Sequence, residues 1–255
     1  MDAILANFTP ATLFLCCAIA VLAGTIKGLV GFAMPMVLIS GLGSFLEPEL
    51  ALAGLILPTV VTNGVQALGQ GVQAAWQSIK RFRLFLIFGG AALLISAQFV
   101  RVLPNHVMLL IIGVPVALFA IVQLVGLNLA SFKPTARKEI AVGTFAGVLG
   151  GMSGVWGPPT VAYLTALGTE KSEQMRVQGV IYGLGAVLLV VAHVGSGVLR
   201  AETAPFSLLL VFPALAGMWL GAQMQGRIDQ AGFRKATLLV LLIASLNLIR
   251  RAVFG

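Results

Sequence analysis

Long apolar runs alternate with short polar joints along the whole chain. A helix needs about 17 to 25 residues to cross roughly 30 Å of hydrocarbon. The pattern predicts segments over 8–26, 30–45, 49–69, 82–100, 105–128, 139–152, 157–168, 174–199, 205–225 and 234–252. The alternation expected of a membrane barrel is not present. Two stretches interrupt apolar material rather than separate it: AGTIKGLVGFAMP (23–35) and AGVLGGMSGVWGPP (146–159). Glycine admits backbone geometries closed to other residues, and proline removes a backbone donor, so a helix breaks in each. Broken backbone at membrane depth is tolerated only inside protein or beside a water-filled cavity.

The two breaks share one frame. Ala23, Gly24, Gly28, Gly31 and Pro35 fall on Ala146, Gly147, Gly151, Gly154 and Pro158 without a gap. Each copy opens one half of the chain and is followed by three longer apolar segments. A hairpin that returns to its own side plus three crossings is an odd number of passages, so two such halves in tandem enter the membrane from opposite sides. The expected fold is therefore an all-α integral membrane protein of two inverted-topology repeats, residues 1–130 and 131–255, forming a single membrane domain. Each repeat is a Gly/Pro-broken hairpin (8–45 and 139–168) plus three transmembrane helices.

Composition agrees with membrane residence: 59% of the 255 residues are hydrophobic and 9% are charged, against about 25% charged in soluble domains. The start of the chain has no basic n-region, so the first run reads as a retained helix rather than a signal peptide. Cys16 and Cys17 are adjacent within that run and read as small hydrophobes, because neighbours do not form an ordinary structural disulfide. The net charge of +8 comes from scattered basic residues without interleaved aromatics, which excludes a nucleic-acid partner. Eleven of them lie in the joints near 80, 133, 173 and 230, and four lie near 101, 200 and the C-terminus. Lys and Arg mark cytoplasmic joints. The expected topology is multi-pass in a bacterial-type cytoplasmic membrane, with both termini outside and the central joint inside. Lipid surrounds such a chain, and a homodimer is the assembly allowed for.

Paired Gly/Pro-interrupted segments at matching positions of two halves point to a binding site between them. Half-helices starting near Phe32 and Trp156 would present free N–H groups and the positive ends of their dipoles, which suit a small anion. Lys27 either contributes a buried cation or snorkels from an interfacial joint. Candidate lining residues are Lys27, Gly28, Gly31, Asn63, Gln66, Gly151, Ser153, Gly154, Trp156, Gly157, Tyr163, Gln178 and Tyr182. The glycines of both hairpins are read as lining the cavity, with close helix packing as the alternative; for Gly217 and Gly221 packing is the preferred reading. Asn63 and Gln66 share a helical face, and either the cavity or interhelical hydrogen bonding explains them. No cofactor or metal is expected, and all acidic residues stand at or beyond segment ends.

These hairpins, together with MRVQGVIYGLGAVLLVVAHVGSG (175–197), resemble the TauE/SafE family of membrane permeases over essentially the whole chain. The resemblance implies a secondary transporter of sulfite, sulfoacetate or a related organosulfonate, acting in export. Uptake of an organic anion is the alternative direction, and a passive channel is a further reading. From another class, GMSG at 151–154 resembles the nucleophile motif of rhomboid intramembrane proteases, with Ser153 as nucleophile and His193 as base. Neither His106 nor His193 opens that family's H-x-x-x-N pattern.

Overall fold

The computed structural model describes residues 8–99, 104–126, 135–153, 156–167, 169, 171–224 and 230–254. Those residues form eleven helices and no strand. In chain order they are α1 (Pro10–Val30), α2 (Met34–Leu42), α3 (Pro48–Leu68), α4 (Val72–Arg81), α5 (Arg83–Ala97), α6 (Asn105–Leu124), α7 (Ala136–Ser153), α8 (Gly157–Ala166), α9 (Lys171–Gly195), α10 (Ala204–Met224) and α11 (Gln230–Phe254). Four of these helices contain stretches long and apolar enough to cross a membrane, at Pro10–Leu29, Pro48–Leu68, Glu173–Gly195 and Ala204–Met224. The protein is therefore a multi-pass membrane protein.

Helix α4 has no counterpart among the predicted segments. VQAAWQSIKR is too short and too polar to span: Ala75 and Ser78 are buried, while Val72, Trp76 and Lys80 lie outside, with the Lys80 ammonium 5.5 Å from the Trp76 ring. Its ten residues are about 15 Å long, half the hydrocarbon thickness.

Both breaks follow from local sequence. Thr9 caps α1, accepting the Thr12 N–H at 3.2 Å, and Pro10 fits the first turn. The helix ends where Gly31 turns left-handed (φ 79°) and its N–H donates to the Lys27 carbonyl at 2.7 Å. Two residues on, Ala33 is also left-handed (φ 75°), an arrangement that costs a residue with a Cβ roughly 1–2 kcal/mol. Pro35 then starts α2. The first break is thus at 31–33, later than the 26/30 division expected from hydropathy, and Lys27 belongs to the last turn of α1. The nine residues of α2 and ten of α8 span about 14 and 15 Å, half of a bilayer core, so each hairpin has one long and one short arm.

Contacts at the helix ends define two faces. On one, Phe8 meets the Phe206 ring edge-on with centroids 5.3 Å apart, and Arg200 pairs with Glu49 at 2.7 Å. On the other, Arg81 pairs with Glu173, the Arg176 guanidinium donates to Ser78 Oγ at 3.2 Å, and the Phe85 N–H donates to Glu139 at 3.0 Å. The α1–α2 hairpin starts from and returns to the first face; the α7–α8 hairpin starts from and returns to the second.

Helix α1 packs along α10, and α7 along α5. Both crossings are made by glycines where backbones touch. A Cβ on Gly24 or Gly28 would lie 2.1 or 2.2 Å from the Ala214 or Met218 carbonyl oxygen, and one on Gly217 or Gly221 would lie 2.0 or 2.1 Å from the Val21 or Thr25 oxygen. On the other pair, a Cβ at Gly147 would lie 2.0 Å from the Gly89 oxygen and one at Gly151 would lie 2.3 Å from the Leu93 oxygen. Small residues let membrane helices approach in this way. Gly28 and Gly151, expected to line a cavity with close packing as the alternative, each face a neighbouring helix whose atoms fill the room a Cβ would take. Helices α3 and α9 lie against each other, as do α6 and α11.

Candidate functional site

The two helix breaks come together. Phe32, Ala33, Pro35 and Met36 at the start of α2 meet Trp156 and Gly157 at the start of α8, and Lys27, Asn63 and Tyr182 from α1, α3 and α9 close the remaining sides of a small cavity. Sequence places Lys27, Asn63, Trp156, Gly157 and Tyr182 among the candidates. It omits Phe32, Ala33, Pro35 and Met36, although the match of Pro35 to Pro158 marked their position.

Lys27 is 2% exposed, and its ammonium donates to Asn63 Oδ1. No carboxylate pairs with it among the described residues. A desolvated cation without a counter-charge is costly unless something else supplies the negative charge. Asn63 is held in turn, its Nδ2 donating to the Tyr182 carbonyl at 3.2 Å, so α3 presents its oxygen to Lys27 in a fixed orientation. Tyr182 donates its hydroxyl to the Gly157 carbonyl at 3.3 Å, and its ring lies 6.3 Å from that of Trp156 at 60°. Thr160 Oγ1 donates to the Trp156 carbonyl at 2.8 Å. The indole is therefore set by groups on both α8 and α9.

The helix starts differ in what they can donate. At α2 the first three residues offer the Met34 and Met36 N–H groups, and Ala33 supplies no side-chain cap. At α8 the same positions are Gly157, Pro158 and Pro159, which leaves the N–H of Gly157 alone. The donors that reach the cavity are therefore the Lys27 ammonium and the few free N–H groups of the two helix starts. The volume available is about 10 Å³, room for one water. A larger guest requires Trp156, Phe32 or Met36 to move.

The remaining candidates stand elsewhere. Gln66 is clear of the cavity, its Nε2 donating to the carbonyls of Gly31 at 2.8 Å and Met175 at 3.2 Å, which ties the first break to the start of α9. A Cβ on Gly31 would collide with the Met175 side chain, so that glycine serves the turn. Tyr163 stacks on Phe85 with centroids 6.3 Å apart. Gln178 is buried on α9 with its Oε1 unpartnered and does not line the cavity. Ser153 is the last residue of α7, and Gly154 lies outside the described residues. His193 is buried with Nδ1 at 3.2 Å from Ser196 Oγ.

Removing the Tyr182 hydroxyl tests how far the indole setting matters. Tyr182→Phe loses one hydrogen bond to a neutral carbonyl, about 1 kcal/mol, so the melting temperature is expected to fall by about 2–4 °C with the fold intact. Thermal denaturation of the purified protein beside the parent would measure it.

Two broken hairpins thus meet around a buried lysine inside a multi-pass helical bundle. The family model described as Sulfite exporter TauE/SafE matches residues 16–248, and the chain belongs to that family, whose members are transporters and not enzymes. The protease reading built on Ser153 and His193 falls with this assignment. No curated protein and no solved structure matches the chain.

Proposed function

We propose that the protein exports a small sulfur oxyanion, sulfite or a short organosulfonate, by alternating access of two inverted halves around the Lys27 cavity. The observation that carries this reading is the buried Lys27 ammonium, hydrogen-bonded to a neutral amide and set between the starts of two half-helices. An anion is what completes such a site.

The helix pairings support the inverted halves. Exchanging the halves turns α1 against α10 into α7 against α5, and maps the α3–α9 and α6–α11 contacts onto themselves. The hairpins also start from opposite faces. Of the basic residues among the described ones, nine fall on the side of Arg81 and Glu173 and three on the side of Glu49 and Arg200, which favours the former as cytoplasmic and both termini as external. The closeness of the cavity supports alternation, since an anion can be taken up only when its walls part.

Among the described residues every carboxylate stands in or before the first turn of a helix, which leaves none at mid-membrane depth for a proton relay. Each negative charge leaving an inside-negative cell gains about 2.3 kcal/mol per 100 mV, enough to drive export without a coupling ion. Sulfite efflux from proteoliposomes should therefore accelerate when the exterior is made positive with potassium and valinomycin. Efflux that ignores the potential and requires a pH gradient would sink the potential-driven mechanism, and failure of sulfite, sulfoacetate and taurine alike to move or compete would sink the substrate class.

A further inference from the structure

A second cavity lies beside the first, between α5, α7 and α9. Its volume is about 390 Å³, within the range of pockets that hold organic ligands. Among the described residues Arg83 is its sole charged lining residue, and Gly90, whose added Cβ would meet only the end of the Leu188 side chain, leaves room on its wall. The rim residues Ile87, Leu184 and Val187 are exposed and apolar, so the cavity opens sideways from the bundle, where lipid lies.

Its two ends differ. At the α5 start, on the face read as cytoplasmic, Arg83 is exposed and makes no ion pair among the described residues, while its neighbours Arg81 and Lys80 are engaged by Glu173 and Trp76. At the inner end lies Trp156, which also lines the Lys27 cavity. Both Arg83 and Leu93 line the groove; ten residues of helix between them rise about 15 Å, half the hydrocarbon thickness and the depth reached from one leaflet.

We propose that this groove holds one acyl chain of an anionic phospholipid, with its phosphate on Arg83 and its chain end against the outer side of Trp156. Lipid tails are as apolar as the groove, so burying a chain there gains little over the surrounding bilayer. Selection must come from the headgroup, and among the described residues the charge lining the mouth is the Arg83 guanidinium, whose fork matches phosphate oxygens. Basic pockets between helices on the cytoplasmic side take anionic headgroups for this reason. The lipid forms the far wall of the indole and restrains it toward Tyr182. The binding claim does not depend on which anion is transported.

The chain has three tryptophans, and Trp76→Phe with Trp219→Phe leaves Trp156 as the only one. In phosphatidylcholine vesicles, acyl-brominated phosphatidylglycerol should quench its fluorescence at about one-fifth the mole fraction required of brominated phosphatidylcholine, as expected for one basic contact. Arg83→Gln should erase the difference between the two lipids. Gly90→Leu, whose added Cβ meets only the end of the Leu188 side chain, should fill the groove and suppress quenching by both. Equal quenching by the two lipids with Arg83 in place, or quenching that survives Gly90→Leu, would overturn the proposal.

Discussion

Lys27→Met is expected to abolish sulfite efflux from proteoliposomes while leaving the purified protein folded. Hydrogen bonds to charged groups contribute about 1.5–3 kcal/mol, so affinity should fall by at least about 10- to 150-fold. The fold should survive because methionine occupies much the same space as the lysine stem, and replacing a desolvated charge by an apolar side chain is often neutral or stabilising. The Asn63 oxygen loses its donor, which sets a modest cost against that gain. Asn63→Asp makes the sharper companion. It places a carboxylate where the amide oxygen now meets Lys27, so the ammonium acquires an internal counter-ion and an incoming anion meets a negative charge. Transport should be lost without any fall in melting temperature. Sulfite affinity within about twofold of the parent in both variants, a change of less than about 0.5 kcal/mol, would remove Lys27 from the site.

Much of this architecture could be read in the sequence, for a physical reason. Without water in the hydrocarbon every backbone group has to be satisfied within the chain, so apolar runs of spanning length become helices and Gly/Pro interruptions mark where they stop. The predicted segments from Pro48 onward accordingly lie close to the observed helices. Helix α4 escaped because ten residues of mixed polarity carry no spanning signal. Lys27 was ambiguous because hydropathy drops at a charge whether the helix ends there or not. What decides its place is tertiary: Asn63, 36 residues away, reaches it from α3. Local sequence carries no trace of that partner.

Glycine was the least legible residue. In a chain with thirty glycines, one that opens a cavity and one that admits a neighbour's backbone look alike. Gly28 and Gly31 are three residues apart; the first touches α10 and the second ends α1. Trp156 was legible as a site candidate because an aromatic residue with a polar handle stands beside a helix break, and Tyr182 because it is a polar group inside the apolar segment that follows. Their shared setting through Gly157 was not.

Gly217→Ala and Gly147→Ala are expected to be the most damaging single-methyl changes in the protein. Each Cβ would lie 2.0 Å from a carbonyl oxygen of the partner helix, belonging to Val21 and Gly89 respectively. Backbone oxygens cannot rotate away as a side chain can, so the crossing helices must separate. Overpacking of this kind costs about 1–3 kcal/mol and sometimes more, and here separation would also strip contacts along both helices, because packing is what holds membrane helices together. Gel filtration in mild detergent should show a large loss of monodisperse protein for each, with a lowered melting temperature in whatever remains. Gly64→Ala provides the contrast: it lies within α3 with no neighbouring atom inside 4 Å of the added Cβ, and alanine favours helix over glycine by up to about 1 kcal/mol. That variant should be as stable as the parent or more so. If the two halves are related by inversion, Gly217 on the α1–α10 crossing and Gly147 on the α5–α7 crossing hold corresponding crossings, and their losses should be of similar size. Folded, stable protein from either variant would mean that the crossing tolerates a wider separation than the packed backbones indicate.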